Sequence, residues 1–303
     1  MINVENVKIL VVGDIMLDRY IVGNVSRISP EAPVPIVNVI DDYFTLGGCG
    51  NVVRNLRELG AQVDCLSFIG MDRASSLIFS ELERIGVNPE LLICDSEYTT
   101  VSKTRIIADE RKVQMLRYDR ETIKEIDSNI AINHLGKNGR LEYDAIIISD
   151  YAKGMITNGL MDYIKKSFDA IKIVDPKPEH GYMYDGVFML TPNEKEWASL
   201  KVSSRYRLQG IPYVLETRGK YGMVLHNLLG GKSVEIPSTP VEVFNVSGAG
   251  DTVVAIMALC MSAEIPVIES AEIANKCAAY VVTQVGTSVV PKNKFTQVVQ
   301  SIL

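Results

Sequence analysis

Short apolar runs that alternate with helix-like segments constrain the fold of this chain more than any other feature. The runs are VKILVVG, VDCLSFIG, YDAIIISD, IKIVDP, VFMLTP, YVLETRG and GMVLHN. Because several of them are apolar at consecutive positions, they are typical of strands covered on both faces. Segments with helical spacing lie between them, among them NVVRNLREL, SSLIFSELERIG and NGLMDYIKKSF. This alternation predicts an α/β fold with a mainly parallel central sheet.

Two stretches contain strand-like patterns without intervening helices. One is PIVNVIDDYF at positions 35–44, and the other, at 101–119, combines VSKTRII and KVQMLRYD around ADER. They predict a small β-sheet, inserted at residues 20–43 and 98–120, that acts as a lid on the main domain. Since no repeat or linker interrupts the chain, we expect residues 1–303 to form a single domain.

Composition and charge exclude several classes of function. A net charge of −6 over 303 residues argues against the broad basic surface that nucleic-acid binding needs. The five cysteines form no CxxC pair, which indicates reduced thiols rather than a disulfide framework. The N-terminal segment has no cleavage-site pattern, and no apolar stretch is long enough to span a bilayer. We therefore expect a cytoplasmic protein with no membrane partner.

The segment NVSGAGDT at positions 245–252 is the first candidate functional motif. Gly248 and Gly250 permit a sharp bend, and the apolar run VVAIMALCM after them predicts a buried helix. Gly248–Asp251 would form its first turn, where unpaired N–H groups and the helix dipole create an anion site. Asp251 then has two interpretations. It caps the helix, or it is a general base beside donors that stabilise a transferring phosphoryl group.

Other catalytic motifs are absent from the sequence. LLGGKS ends like a phosphate-binding loop, but its first glycine would fall at His226, so a hairpin turn is the better interpretation. There is no GxGxxG after a strand and no GxSxG motif. The three histidines show no ligand spacing, which argues against a zinc site held by the protein.

Three motifs, in their order along the chain, resemble those of the ribokinase-like (PfkB) sugar kinases. They are GDIMLDRY, GGCGN and NVSGAGDT, and the resemblance covers nearly the whole sequence. It implies a three-layer α/β/α kinase that uses ATP and Mg²⁺ under a small β lid. It also implies that Asp251 deprotonates the anomeric hydroxyl of a sugar, while Ala249 and Gly250, in the same loop as Gly248, offer N–H groups to the γ-phosphate.

The resemblance also implies a set of sugar-binding residues. Asp14 and Asp18 would accept hydrogen bonds from sugar hydroxyls, as would Asn51, which follows Gly47 and Gly48. The alternative for the two aspartates is turn or cap chemistry after a strand. We expect both to lie where a parallel strand ends, which is the edge at which α/β sheets bind ligands.

Nucleotide and metal contacts are implied by two further matches. Asn193 and Glu196 in TPNEKEW match the NxxE motif that helps to place Mg²⁺ and its waters. Magnesium keeps several waters, so we expect no metal site made of protein ligands alone. The alternative is that Glu196 is an ordinary exposed helix residue. The residues expected to border the nucleotide are Thr217, Gly219, Gly222 and Asn275, although Asn275 could equally serve helix packing.

Further segments narrow the resemblance to family members that phosphorylate a heptose 7-phosphate at C1 in ADP-heptose synthesis. These segments are SRISPEAPVPIV, SDYAKG, DPK and LTPNEKE. In bifunctional members a nucleotidyltransferase domain follows, and this chain of 303 residues is expected to hold only the kinase half. The candidate cations for the 7-phosphate are Arg27, Lys103, Arg105, Lys153 and Lys177. The alternative is that they are ordinary solvated side chains.

Some positions depart from the family pattern. Asn245 stands where most relatives carry an aspartate that helps to bind an activating monovalent cation, and a neutral amide makes that activation doubtful. GGCGN replaces the more common GGAAN, and the segment between Trp197 and Ile211 is short, so a flanking helix should be reduced.

The rival functions are a kinase of another sugar, sugar phosphate or nucleoside, and a catalytically silent sugar-binding relative. The edges of the lid strands could also pair in a homodimer.

Overall fold

The computed structural model describes residues 4–109, 113–140, 142–202, 208–284 and 286–303. Its strands, in chain order, are β1 Lys8–Gly13, β2 Ile15–Ile28, β3 Pro35–Gly48, β4 Gln62–Gly70, β5 Leu92–Asp95, β6 Ser102–Ala108, β7 Val113–Arg120, β8 Ala145–Ser149, β9 Ile171–Asp175, β10 Met189–Leu190, β11 Tyr213–Thr217, β12 Met223–Asn227 and β13 Val234–Ile236. The helices are α1 Cys49–Leu59, α2 Arg73–Arg84, α3 Ser128–Asn138, α4 Asn158–Ser167, α5 Glu194–Val202, α6 Ala249–Ser262, α7 Val267–Val281 and α8 Lys292–Gln300.

A large central sheet organises the molecule. Across the described residues it has nine strands in the order β13-β12-β11-β10-β9-β8-β1-β4-β5. Every pairing from β5 to β11 is parallel, whereas β12 and β13 add antiparallel strands at one edge. The mainly parallel sheet predicted from the apolar runs is confirmed. LLGGKS connects the antiparallel strands β12 and β13, as expected of a hairpin turn.

The apolar core lies in two layers, one on each face of this sheet. Successive residues of β1 point to opposite faces, so Ile9 and Val11 belong to one cluster and Leu10 and Val12 to the other. The first cluster is covered by α1, α2, α6, α7 and α8, and the second by α3, α4 and α5. This is the expected three-layer α/β/α arrangement. No helix in the described ranges is both long and apolar enough to cross a membrane.

A second, smaller sheet stands apart from the first, in the order β3-β2-β6-β7. Its first two strands extend beyond the expected bounds of 20–43. Only Asp14 separates β2, which starts at Ile15, from β1, and β3 continues to Gly48, the residue before α1. The second segment, expected at 98–120, contributes β6 and β7, and residues 110–112 between them lie outside the described part. The helix expected to be reduced is α5, which ends at Val202; residues 203–207 beyond it are likewise outside the described residues.

Candidate active site

The N-terminus of α6 has the geometry of an anion site. Gly248 precedes the helix with a φ of 83°, and a Cβ there would lie 2.6 Å from Asn51 Nδ2 and 2.9 Å from Thr287 Cγ2. Both the backbone angle and the crowding therefore require glycine. The N–H of Gly250 has no hydrogen-bond partner among the described residues, while that of Ala249 makes only a long bond of 3.4 Å to the Val246 carbonyl. Open donors thus point outward at the positive end of the helix dipole.

Asp251 is buried in the first turn of this helix, and its contacts differ from those of a cap. The Asn51 amide donates to its Oδ2 at 2.9 Å, and the Tyr151 hydroxyl donates to its Oδ1 at 2.8 Å. No side chain caps the helix, and Gly248 occupies the capping position. Burial raises the pKa of Asp251, and the two hydrogen bonds partly oppose that shift. A desolvated carboxylate with a fixed direction favours the general-base interpretation over the capping one.

Tyr151 is a site residue that sequence reasoning missed. It lies in SDYAKG directly after β8, a segment from which only Lys153 was singled out, although its position at the end of a parallel strand was an available signal. Besides its bond to Asp251, its ring lies 5.6 Å from the Nζ of Lys103 and 5.4 Å from that of Lys177, measured to the ring centroid. Tyr151 therefore connects the base to two cations, one of them in the small sheet.

Asp14 lies directly after β1, where a parallel strand ends, as expected. Its Oδ2 accepts the backbone N–H groups of Tyr151 and Lys153 at 2.9 and 3.1 Å, and its Oδ1 accepts that of Met155 at 3.0 Å. Burial, followed by repulsion from Asp150, raises its pKa to about 6. Three backbone donors therefore hold this carboxylate against the loop after β8, and its role as a sugar ligand stays a prediction.

Asp18 lies inside β2, not at the end of a parallel strand as expected, because β2 turns into the small sheet immediately after Asp14. Directly opposite residues of neighbouring strands share a face, so the register places Thr45, Asp18, Lys103 and Asp119 in one row. Gly47 lies against the Asp18 carboxylate and Gly48 against the Asp14 carbonyl, where a side chain would collide. The Asp18 charge also raises the pKa of Asp251, which places this face of the small sheet beside the base.

The five candidate cations have different surroundings. Arg105 pairs with Asp18 at 2.5 Å, Lys153 with Glu121 at 2.9 Å and Lys177 with Glu196 at 2.8 Å. Lys103 makes no ion pair with any described residue, and burial lowers its pKa.

Arg27 is not brought to this site. It is exposed, nine positions after Asp18 along β2, which corresponds to roughly 30 Å in an extended strand. Within one chain it therefore cannot bind a phosphate beside Lys103.

A cavity of about 460 Å³ lies on the other side of the α6 N-terminus. Its lining includes all four residues expected to border the nucleotide, Thr217, Gly219, Gly222 and Asn275, together with Ala249 and Gly250. Apolar side chains such as Val243 and Val246 complete the wall. Asn275 donates to the Pro237 carbonyl at 2.7 Å, so its amide fixes the segment that closes the cavity. The volume and the apolar lining suit a purine base.

Asn193 and Glu196 form a reciprocal cap at the start of α5. Asn193 Oδ1 accepts the Glu196 N–H at 3.0 Å, and Glu196 Oε2 accepts the Asn193 N–H at 2.9 Å. No group of three or more metal-ligand side chains occurs among the described residues. However, burial and then the charges of Asp251 and Glu196 raise the pKa of Asp175 well above its ordinary value. A divalent cation bound through phosphates would offset this negative charge, and the expected contact of Glu196 with Mg²⁺ stays a prediction.

Asn245 precedes the glycine motif and accepts the Ser247 N–H on its Oδ1 at 2.9 Å. This Asx turn orders the approach to Gly248 without a charge. The expectation about monovalent cations stays a prediction.

Comparisons with known proteins agree with this architecture. A profile described as pfkB family carbohydrate kinase matches residues 6–293. The bifunctional protein HldE of Desulfatibacillum aliphaticivorans is 40% identical over 301 residues, which are 93% of this chain and 61% of that protein. HldE of Helicobacter hepaticus is 36% identical over 310 residues, 97% of this chain and 64% of that protein. The chain thus spans about three fifths of the length of these relatives.

Solved structures show the same fold at low sequence identity. Phosphofructokinase-2 of Escherichia coli, in complex with potassium, superposes with a TM-score of 0.76 at 16% identity, covering 98% of this chain and 99% of that one. Ribokinase of Arabidopsis thaliana, complexed with ribose and ATP, gives a TM-score of 0.73 at 17% identity, covering 97% and 99%. The ribokinase-like fold predicted from the sequence motifs is confirmed.

Proposed function

Because the chain belongs to the pfkB family of carbohydrate kinases, we propose that it transfers the γ-phosphoryl group of ATP to the anomeric C1 hydroxyl of D-glycero-D-manno-heptose 7-phosphate. The product would be the 1,7-bisphosphate, an intermediate of ADP-heptose synthesis. Three segments favour this substrate among those that family members phosphorylate, because they resemble segments of heptose 7-phosphate kinases. They are SRISPEAPVPIV, SDYAKG and LTPNEKE.

One observation carries the proposal of phosphoryl transfer. The buried carboxylate of Asp251 lies between the cavity lined by Ala249 and Gly250 and the polar face that contains Asp18 and Lys103. A nucleotide in the cavity and a sugar on that face would meet at this carboxylate, beside the open N–H of Gly250. Such an arrangement brings the two reactants together in one orientation, which accounts for much of the rate enhancement in phosphoryl transfer.

The residues then divide the chemistry between them. Asp251 accepts the proton of the C1 hydroxyl as that oxygen bonds to the γ-phosphorus and the bond to the ADP oxygen breaks. The N–H groups at the start of α6 stabilise the charge that develops on the phosphoryl oxygens. Mg²⁺, when bound beside Glu196, would neutralise phosphate charge. The small sheet would close over the sugar and exclude water, which would otherwise compete as the acceptor.

The face of the small sheet supports a phosphorylated sugar over a neutral one. Lys103 is partly buried and has no carboxylate partner among the described side chains, whereas Arg105, Lys153 and Lys177 are each paired. The Lys103 ammonium interacts with the Tyr151 ring and with the charges of Asp18 and Asp119, but it makes no ion pair with either carboxylate. A phosphate would supply that direct contact to a partly desolvated charge. Lys103 is therefore the best candidate for the 7-phosphate.

The test measures ADP release from Mg²⁺-ATP with heptose 7-phosphate and, separately, with fructose 6-phosphate. We expect turnover on the heptose alone and its loss in Asp251→Asn. The matched control is Asp64→Asn, which removes another carboxylate that accepts a tyrosine hydroxyl, here from Tyr143 at 2.9 Å. Turnover on fructose 6-phosphate would support a different sugar kinase. Binding of ATP without turnover on either sugar would favour the catalytically silent relative.

We also propose a homodimer through the small sheet, in the cytoplasm, where ATP and Mg²⁺ are available. The face opposite Lys103 carries the rows Phe44–Arg19–Thr104–Tyr118 and Asp42–Ile21–Ile106–Leu116. Leu116 is 55% exposed and Tyr118 47% exposed. Exposed apolar side chains beside the Arg19–Asp42 ion pair, on a sheet with open edges, are features of a dimerisation surface. Light scattering should give a dimer for the wild type and a monomer for Leu116→Asp; a wild-type monomer would contradict the proposal.

A further inference from the structure

A buried carboxylate next to Tyr151 belongs to a network that phosphoryl transfer does not use directly. Asp150 is 1% exposed, and its Oδ1 accepts the Ala152 N–H at 2.8 Å. Its Oδ2 accepts the Tyr184 hydroxyl at 2.6 Å and lies 2.7 Å from Nδ1 of His180. The last two residues belong to the segment after β9, so Asp150 joins that segment to the loop that carries Tyr151.

The loop held by Asp150 has a strained turn. Ala152 has a φ of 54°, one of two positive values at non-glycine residues in the described part of the chain. This conformation is unfavourable for a residue with a side chain and persists only where the surroundings impose it. The bond from the Ala152 N–H to Asp150 imposes it here, together with the bonds of the Tyr151 and Lys153 N–H groups to Asp14. The direction of the Tyr151 side chain therefore depends on two buried carboxylates.

These two carboxylates repel each other, since Asp150 contributes to the raised pKa of Asp14. The charged and titratable groups that interact with Asp150 are Asp14, Asp175, Lys177, His180 and Tyr184. Lys177 already pairs with Glu196 at 2.8 Å, which leaves His180 as the cation in direct contact with Asp150. Its side chain is 16% exposed and can exchange protons with solvent.

We infer that His180 is a positioning residue for the catalytic base. As a cation it anchors Asp150, Asp150 holds the turn at Ala152, and that turn keeps the Tyr151 hydroxyl on Asp251. The effect on turnover rests on the proposed kinase activity. The effect on the loop does not, because it is a property of the free protein.

The coupling predicts a pH dependence with a definite sign. The hydrogen bond to Asp150 raises the pKa of His180, partial burial opposes that shift, and the charges of Asp150, Glu179 and Asp14 raise it further. His180 is therefore protonated below its raised pKa, and the contact weakens as the pH rises through that value. We expect kcat to fall on the alkaline side with the His180 midpoint, separately from an acid limb set by Asp251.

The first test is an NMR titration of the free protein. The three histidines can be assigned individually, and the amides of Tyr151 and Ala152 report on the loop. In the wild type we expect these amides to shift with the same midpoint as the His180 ring. The component with the His180 midpoint should vanish in His180→Gln and persist in His226→Gln, whereas a component from Asp14, whose Oδ2 accepts the Tyr151 N–H, should remain in both variants. His226→Gln is a matched control, because His226 Nε2 lies 2.8 Å from the buried Glu216. Amides that do not follow His180 in the wild type would overturn the inference without any variant.

The second test is the pH profile of turnover for the same proteins. His180→Gln should lower kcat by roughly tenfold at neutral pH, which corresponds to one charge-assisted hydrogen bond, and should lose the alkaline limb. An alkaline limb unchanged in His180→Gln would overturn the inference. Absence of turnover on both sugars would instead refute the proposed function, and the NMR titration would still decide the role of His180.

Discussion

The hydroxyl of Tyr151 donates a 2.8 Å hydrogen bond to Oδ1 of Asp251, while the Asn51 amide donates to the other oxygen at 2.9 Å. Each carboxylate oxygen thus has one fixed donor and retains lone pairs for a substrate hydroxyl. The two donors come from the loop after β8 and from α1, and the base comes from α6. The direction of the base is therefore determined by three elements that are distant in sequence.

Replacing Tyr151 by Phe should move the acid limb of kcat/KM to higher pH. The hydrogen bond from Tyr151 lowers the pKa of Asp251, so its removal raises a pKa that burial has already raised. A smaller fraction of the base is then ionised at a given pH, and the rate should also fall because the carboxylate loses one orienting contact. The pH profile of kcat/KM measures both effects.

The control for this prediction is Tyr143→Phe, which deletes a similar bond of 2.9 Å to Asp64 away from the site. Its acid limb should coincide with that of the wild type. An acid limb that stays in place for Tyr151→Phe would show that the hydroxyl does not interact with the ionising group.

Replacing Gly248 by Ala should disable the anion site. The left-handed φ of 83° costs about 1–2 kcal/mol for any other residue, and the new methyl group would press on Asn51 Nδ2 at 2.6 Å. Because this amide also orients Asp251, we expect kcat to fall by about 100-fold or more. Steady-state kinetics and urea unfolding would separate the catalytic loss from the loss of stability.

Gly230→Ala is the matched comparison, because Gly230 also has a positive φ, of 94°, but a Cβ at this position would have no atom within 4 Å. It should lose stability by the backbone penalty alone and retain its turnover. Equal kinetic effects in the two variants would refute the proposed crowding at Asn51.

Neutralising Lys103 should weaken binding of the sugar phosphate. Lys103→Gln removes an ammonium that has no carboxylate partner among the described residues, and we expect KM for the heptose phosphate to rise by roughly 10–100-fold. KM for ATP should change little, because Lys103 is not among the residues that line the nucleotide cavity.

Arg27→Gln provides the control in the same sheet, since Arg27 lies at the far end of β2. Its kinetics should match those of the wild type. A larger effect on KM from Arg27 than from Lys103 would mean that the phosphate binds at the opposite end of the small sheet, with help from a second copy of the chain.

Asp14 should make the protein less stable as the pH rises. Its folded pKa of about 6 lies above its ordinary value of 3.8, so the native state binds the extra proton between these values and loses that advantage as the pH rises through 6. The whole loss is on the order of 3 kcal/mol, of which about 1.4 kcal/mol falls between pH 5 and pH 7.5. The free energy of unfolding should therefore decrease more between pH 5 and pH 7.5 in the wild type than in Asp14→Asn. Parallel slopes would contradict the assignment.

Local patterns in the sequence predicted the framework and the centre of the site. The continuous apolar runs predicted buried parallel strands, because only a strand covered on both faces tolerates such runs. The two glycines and the apolar segment after them predicted where α6 begins, and with it the position of Asp251. These features depend on residues close together in the chain, so spacing and residue type were sufficient.

Tertiary structure alone decided which side chains meet at Asp251. Tyr151 is 100 positions away and Asn51 is 200 positions away, so no local pattern could pair them with the base. In the same way, three backbone N–H groups found after folding occupy Asp14, and the direction of β2 carries Arg27 away from the cations it was expected to join. Sequence specifies which groups are available, but hydrogen bonds and ion pairs form only between groups that the fold brings within about 3 Å.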